Sequence, residues 1–379
     1  LPDAECLRLK PDYEPDRQEV ASRDVVSRCM AEHIRKGKGV KSAFGDHLWL
    51  DITVLGRTHI EKNLREVRDI CQYFLGLDPA VDLIPVRPTQ HYSMGGIRVD
   101  HQGQSPWLRG LFACGEVACW DLHGFNRLGG NSVAETVVAG MLVGEYVADF
   151  CASAEGRVEI SSALAAEFVG RERAGLDRLL ARPGRESAVG IRQAMERVLT
   201  EKVGLFRNGS DLEAAVSELQ ALLARVGNLG VGNPHPGANP ELVLAYRLPR
   251  MLKIALGAAL GALSRTESRG AHYREDYPGR NDRDWLKRTL LHWPEGVNQP
   301  VLDYEPLDLG AMELPPGFRG YGARDILEHP DTARRQAEVD ALRAAGGDGR
   351  AMQERLMPFH HLLPARFRGP NARVQESQP

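Results

Sequence analysis

The chain is 379 residues long, enough for two to three domains at about 150 residues each. Its 48 Lys and Arg stand against 51 Asp and Glu, and the resulting net charge of −3 excludes the basic field that a nucleic-acid binder needs. Hydrophobic residues make up 42%, yet the most apolar stretches, such as 254–263, fall far short of the ~20 residues that span a bilayer, so the chain is not expected to cross a membrane, which leaves docking on a protein that does open.

Cysteines at 6, 29, 71, 114, 119 and 151 form neither a CxxC pair nor a Cys/His cluster. They read as reduced thiols, and no metal site is expected. The chain opens on Leu1 with no charged-then-apolar leader pattern, and it reads as a piece of a longer protein.

In chain order, residues 1–18 are polar. Val25, Val26, Cys29, Met30 and Ile34 then form a helical stripe closed by a Gly/Lys turn at 36–41. A short apolar run at 48–54 follows. Thr58 with Glu61 has capping-box spacing, and Ile60, Leu64, Val67, Cys71 and Phe74 predict one helix ending at Asp78-Pro79. Helices around an extended run predict an α+β lobe.

From 84 to 114 the pattern turns to short strand-like runs broken by glycines, ending in Leu111-Phe112-Ala113, which reads as a buried strand. A Gly-rich turn and a small-residue helix from Ser132 follow; strand, turn, helix is an arrangement that brings backbone N–H groups to an anionic ligand. Residues 158–270 predict a helical bundle, with a second capping box at Ser210 and Glu213 and a core stripe of Leu212, Ala215, Val216, Leu219 and Leu223. Beyond Arg269 the Pro-rich, weakly periodic chain predicts a surface-hugging tail, with one short helix near 333–344.

Four places are dense in chemistry. Glu116 ends the strand-like run, where a carboxylate either accepts hydroxyl hydrogen bonds or simply faces water. His123-Gly-Phe-Asn-Arg127-Leu-Gly-Gly-Asn-Ser132 crowds polar side chains and glycines ahead of a helix, a combination easier to explain as a ligand site than as a turn. His91 precedes the Gly95-Gly96 hinge; a single His there is more often structural. Arg23-Asp24 with Arg28 surround one helix turn, by themselves a solvated face.

These segments occur together and in this order in one family. On 21–28, 88–96, 115–119, 123–132 and 267–272, the chain resembles the flavoprotein subunit of succinate dehydrogenase and fumarate reductase. It covers roughly the C-terminal 60% of such a subunit. Trp120, Asp121, Phe125 and the segments 33–39 and 313–322 look closest to fumarate reductases that pair with a di-haem cytochrome b.

The resemblance implies an α/β, Rossmann-like FAD-binding remnant with an α+β capping lobe, followed by a helical bundle domain and a small C-terminal domain. The expected boundaries are 1–87 for the capping part, 88–152 for the FAD-binding part, 153–275 for the helical domain and 276–379 for the tail. Arg23 matches the family's proton donor, although an arginine with a pKa above about 12 is an unusual acid. His91 and Arg127 match the dicarboxylate-binding pair; Glu116 matches a ribitol contact of FAD, and Ser132 and Val133 match flavin-ring contacts. The implied reaction interconverts fumarate and succinate. The histidine that holds FAD covalently is expected ahead of Leu1. An iron–sulfur subunit and a membrane cytochrome b subunit are the implied partners, on the cytoplasmic face of the inner membrane. L-aspartate oxidases share the fold but differ at 129–132, and a non-catalytic assembly scaffold is the alternative from another class.

Overall fold

The computed structural model describes residues 23–43, 45–181, 186–235, 237–294, 296–297, 299–307 and 330–346. The expectations for 1–22 and 313–322 fall outside these residues. The chain divides into one unit of residues 1–93 and 319–324 and a second of 94–318 and 325–379.

In the first unit, helix α1 (Arg23–His33) runs into a π-type turn at Ile34–Lys38. Strand β1 (Leu48–Leu50) pairs antiparallel with β2 (Ile84–Val86), Leu48 opposite Val86. Met30 and Leu48 form a small core with Val26, Ile34 and Val86 against them, so most of the predicted stripe faces inward. The Arg23–Arg28 turn is a solvated face only in part: Arg23 is exposed, but Asp24 is buried and accepts from Arg28 Nη2 at 3.1 Å.

The predicted helix over 60–74 is broken. Helix α2 (Arg57–Asn63) and α3 (Arg65–Ile70) are separated at Leu64, whose φ of −125° and ψ of 35° leave the helical region. A π-type turn at Cys71–Leu75 ends at the left-handed Gly76, ahead of the expected Asp78-Pro79 stop. Thr58 is inside α2 and the cap is Gly56, with no side-chain bond. Ile60 and Cys71 are buried, while Phe74, in the π-type turn, is exposed.

In the second unit, β3 (Ile97–Arg98) pairs parallel with β4 (Ala118–Cys119) over a core of Val99, Ala113 and Ala118. Leu111-Phe112-Ala113 is not a strand. Ser105 N donates to Leu111 O and Ala113 N to Gly103 O, which folds the run against its own preceding turn with a single bridge from Gln104 to Phe112. Helix α4 (Asn131–Ala152) follows.

The bundle comprises α5 (Ser162–Ala181), α6 (Ala188–Lys202), α7 (Gly209–Arg225) and α8 (Pro240–Ser264). Ile191, Leu212, Leu219, Leu248, Leu252 and Leu256 are fully buried at its centre, one large apolar core. Removing such area from water contributes about 25 cal/mol per Å². The cap of α7 is Asn208, whose side chain accepts from Asp211 N; Ser210 stands inside the helix and instead donates to Asn208 Oδ1.

The region after α8 carries regular structure that its prolines do not suggest, although no apolar core cluster lies in its described residues. A short helix α9 (Asp282–Trp285) leads into an antiparallel hairpin of β5 (Lys287–His292) and β6 (Val301–Pro306). Helix α10 (Pro330–Ala344) lies further on. Between bundle and hairpin is a layer of buried arginines that satisfy the orphan carbonyls of chain turns and helix ends. Arg274 Nη1 donates to Ala262 O and Leu263 O, both at 2.9 Å, and Arg207 Nε donates to Val203 O and Gly204 O. Polar-to-carbonyl packing has no 3.6-residue period, which is why the sequence pattern hides it.

His272 sits in this layer. Arg207 Nη1 donates to its Nδ1 at 2.8 Å, which leaves Nε2 to carry the ring proton of a neutral imidazole. Burial, seconded by the Arg207 charge, pushes its pKa down to about 3. The native state is therefore neutral where an unfolded His with a pKa of about 6.5 takes a proton. Stability from this group is complete above about 6.5 and falls as pH drops toward about 3, with a slope approaching 1.4 kcal/mol per unit. Between pH 7 and 5 the unfolding free energy should fall by about 2 kcal/mol through His272. Urea melts of wild type and His272→Gln check this: the variant should lose that part of the slope, and an unchanged slope would refute the assignment.

Candidate active site

The frame of the site is the β3–β4 pair. Gly96 enters β3 with φ of +138°, and a Cβ there would lie 2.1 Å from Val117 O, so only glycine permits this approach to the turn at Gly115–Val117. That turn projects Glu116 into solvent and packs Gly115 against Thr136 in the first turns of α4. Glu116 and the start of α4 are thereby neighbours.

Helix α4 begins at Asn131 after a left-handed Gly130 that provides no side-chain cap. Neither Asn131 nor Ser132 serves as the cap. The positive end of a helix dipole is left open beside an exposed carboxylate, and Val133, Val137, Val138 and Met141 form an exposed apolar strip along the same helix. Ser132 is half-buried and its carbonyl accepts from Thr136 Oγ1 at 2.9 Å.

Between β4 and α4 the chain loops through residues 120–130. Glu135 of α4 is 5% exposed, and its two oxygens accept from Trp120 Nε1 at 2.8 Å and meet His123 Nε2 at 2.7 Å. Asp121, with φ of 69°, is paired with Arg288 of β5. Arg288 and Arg98 both hold Glu305 of β6, at 2.8 and 2.9 Å, and the hydrogen bond from Arg98 draws the Glu305 pKa downward. The hairpin is thus tied by charge to the loop and to β3.

Arg127 is half-buried at the far side of this loop. Its N–H points to Met94 Sδ at 3.3 Å and its Nη1 donates to Leu128 O at 2.7 Å. Glu116, Arg127, Ser132 and Val133 all belong to the second unit. Arg23, exposed at the first described turn of α1, and His91, exposed in an irregular segment, belong to the first. Among the described residues no group of His, Cys, Asp and Glu could hold a metal, and no helix is long and apolar enough to cross a membrane.

Sequence reasoning missed Glu135, whose partners lie 12 and 15 residues upstream, and it passed over what 267–272 does. Ala271 N donates to Phe125 O at 2.9 Å, two residues before Arg127. The segment stood out in the sequence only as a family marker; no local pattern shows that a loop 145 residues later touches this turn.

The open helix start, the exposed acid and the parallel strands describe part of a flavin-nucleotide-binding domain, and residues 5–133 match the family described as FAD binding domain. Residues 192–321 match the family described as fumarate reductase flavoprotein C-term. The chain is 46% identical over 404 aligned positions to the fumarate reductase flavoprotein subunit of Helicobacter pylori, covering 98% of this chain and 56% of that protein. It is 36% identical over 317 positions to the Mycobacterium tuberculosis subunit of the same name, covering 83% and 54%. A mutated FrdA of E. coli quinol fumarate reductase superposes with a TM-score of 0.77 at 31% identity, covering 85% of this chain and 56% of that one. The chain belongs to the fumarate reductase/succinate dehydrogenase flavoprotein family and spans about half the length of the curated relatives it matches.

Removing the Glu135 carboxylate strands two buried donors. Glu135→Ala should destabilise the second unit by about 2–6 kcal/mol, at about 1–3 kcal/mol for each unsatisfied group. Chemical denaturation followed by Trp fluorescence reads this; a loss below about 0.5 kcal/mol, the range of ordinary surface changes, would show that the triad is not a real anchor.

Proposed function

We propose that the protein works as the flavoprotein subunit of a fumarate reductase or succinate dehydrogenase, with Arg127 and His91 binding the two substrate carboxylates and Arg23 transferring the proton. The observation that carries this reading is the frame in the second unit, where an exposed Glu116, an uncapped helix start and the Arg127 turn are brought together.

These residues fit FAD. Glu116 would hold the ribitol chain by accepting from its hydroxyls, and the N–H groups at Ser132 and Val133, at the positive end of α4, would stabilise negative charge on the ring system. FAD supplies hydride chemistry when bound. The covalent histidine is proposed to lie ahead of the matched region.

The chain's own residues supply binding and proton transfer. Arg127 offers a planar fork of donors that matches a carboxylate, and His91 supplies a second donor for the other end of the dicarboxylate. Holding both ends withdraws charge from the double bond and fixes its two carbons relative to the reacting groups. Arg23 then donates to the carbon that develops carbanion character, a base strong enough to take a proton from a guanidinium. In the succinate direction the same guanidine accepts it.

Electrons reach the site from quinol in fumarate reduction, and leave it to quinone in succinate oxidation, through an iron–sulfur subunit and a membrane cytochrome b, which would hold this subunit peripherally at the cytoplasmic face of the inner membrane. Supporting this, solved relatives include quinol fumarate reductase structures, one with menaquinol molecules.

The test is fumarate reduction by reduced viologen, using the FAD-loaded subunit with its iron–sulfur partner. Arg23→Gln should lower kcat by about 100-fold or more, as loss of a general acid does, with FAD content unchanged. Equal rates in variant and wild type would remove Arg23 from the mechanism. L-aspartate oxidation without fumarate reduction would replace the reading altogether.

A further inference from the structure

We infer that the segment 265–272 is a positioning element for Arg127, with Gly270 and Ala271 setting the turn that presents the guanidinium. This rests on the reading that Arg127 grips a substrate carboxylate.

The backbone hydrogen bonds inside the turn 121–128 are long. Gly124 N to Asp121 O spans 3.3 Å, Asn126 N to His123 O spans 3.2 Å, and Arg127 N donates to the Met94 thioether. Against these, Ala271 N donates to Phe125 O at 2.9 Å. Gly270 has φ of +59°, and a Cβ on it would lie 2.8 Å from Phe125 Cβ and 2.9 Å from Phe125 O. The backbone at 270–271 therefore touches the turn with no room for a side chain, and it does so two residues from Arg127.

Phe125 is also gripped at its ring, since the Arg265 guanidinium carbon lies 5.0 Å from its centroid. Arg265 cannot drift. Its Nη1 donates to Glu267 at 2.7 Å and to Trp285 O at 2.8 Å, and its Nη2 donates to Lys287 O at 2.6 Å. Glu267, 0% exposed, accepts from Arg265, from Arg269 at 2.9 Å on each oxygen, and from Asn281 N. Arg269 in turn donates to Asp282 at 2.7 Å.

A buried carboxylate that takes four hydrogen bonds is a fixed point, and 270–271, three and four residues after it, carry that fixed position to the turn at Phe125. A displacement of about 1 Å of a binding group costs up to 100-fold. Gly270 and Glu267 thus act on substrate affinity through Arg127 without touching substrate.

The experiment measures KM for fumarate, kcat and FAD content for wild type, Gly270→Ala, Glu267→Gln and Arg127→Lys in the viologen assay on the FAD-loaded subunit with its iron–sulfur partner. Gly270→Ala should raise KM by about 10-fold or more, and malonate inhibition should weaken in parallel, while kcat changes less than about 3-fold and FAD stays bound. A merely structural glycine lowers the yield of active enzyme and leaves KM alone, so wild-type KM in Gly270→Ala, with KM raised in Arg127→Lys, overturns the positioning role. Should Gly270→Ala not fold, Glu267→Gln decides by the same KM criterion. Wild-type KM in Arg127→Lys overturns the substrate reading itself, and is thereby told apart.

Discussion

Glu267 is an ionisable carboxylate with no contact with water, held between two guanidiniums. Leaving such a charge unpaired costs several kcal/mol, so every residue that contacts it is constrained at once. Arg265 is pinned to the α9–β5 junction by carbonyls at both ends of its fork, and burial lowers its pKa despite the hydrogen bond to Glu267. For Arg269 the balance is reversed: burial opposes its charge, but Glu267 and Asp282 outweigh burial and raise the pKa. The bundle end, the short helix α9 and the hairpin meet at this one carboxylate.

From that point the second unit is tied together by polar links rather than by a shared apolar core. The bundle has its own large core, and the strands β3 and β4 have a separate small one. Arg288 and Arg98 on Glu305, Arg288 on Asp121, and Ala271 on Phe125 join the hairpin and the post-α8 loop to the region that carries Arg127. Charged and backbone hydrogen bonds are directional, and they fix angles that apolar packing leaves softer. Under the proposed function, a turn that presents the Arg127 guanidinium to a carboxylate needs such angular definition. Glu135 supplies the same service on the α4 side by fixing Trp120 and His123 at the start of the loop.

Much of the fold was legible where burial follows a period. Leu212, Ala215 and Leu219 recur on one face of α7 and are fully buried, and Met30 with Val26 and Ile34 packs on Leu48. Helix stops were less legible. Thr58 and Ser210 have capping-box spacing, but the caps are Gly56 and Asn208, two residues earlier, and at Asn208 a side-chain oxygen in the right place outcompetes the hydroxyl. Leu64 breaks a stripe that reads as continuous, because periodicity marks a face and not the backbone angles between its members. The buried arginine layer was harder to read for a different reason: beside the carboxylates Glu267 and Asp276, Arg207, Arg265 and Arg274 donate to carbonyls, which every residue has and which no pattern marks in sequence. Of the candidate site, Glu116, Arg127, Ser132 and Val133 lie together on one unit, and the contacts that hold the turn come from residues 135 and 271, at distances no local motif records.

The central claim is that the Arg127 turn and the Glu116–α4 frame form a dicarboxylate and flavin site. A crystal structure of the FAD-loaded subunit soaked with malonate tests it most directly. The account predicts one malonate carboxylate on the Arg127 guanidinium, the other end within reach of His91, Arg23 beside the central carbon, and the Glu116 carboxylate on a ribitol hydroxyl. Malonate bound away from Arg127, or a flavin whose ribitol lies far from Glu116, would contradict it.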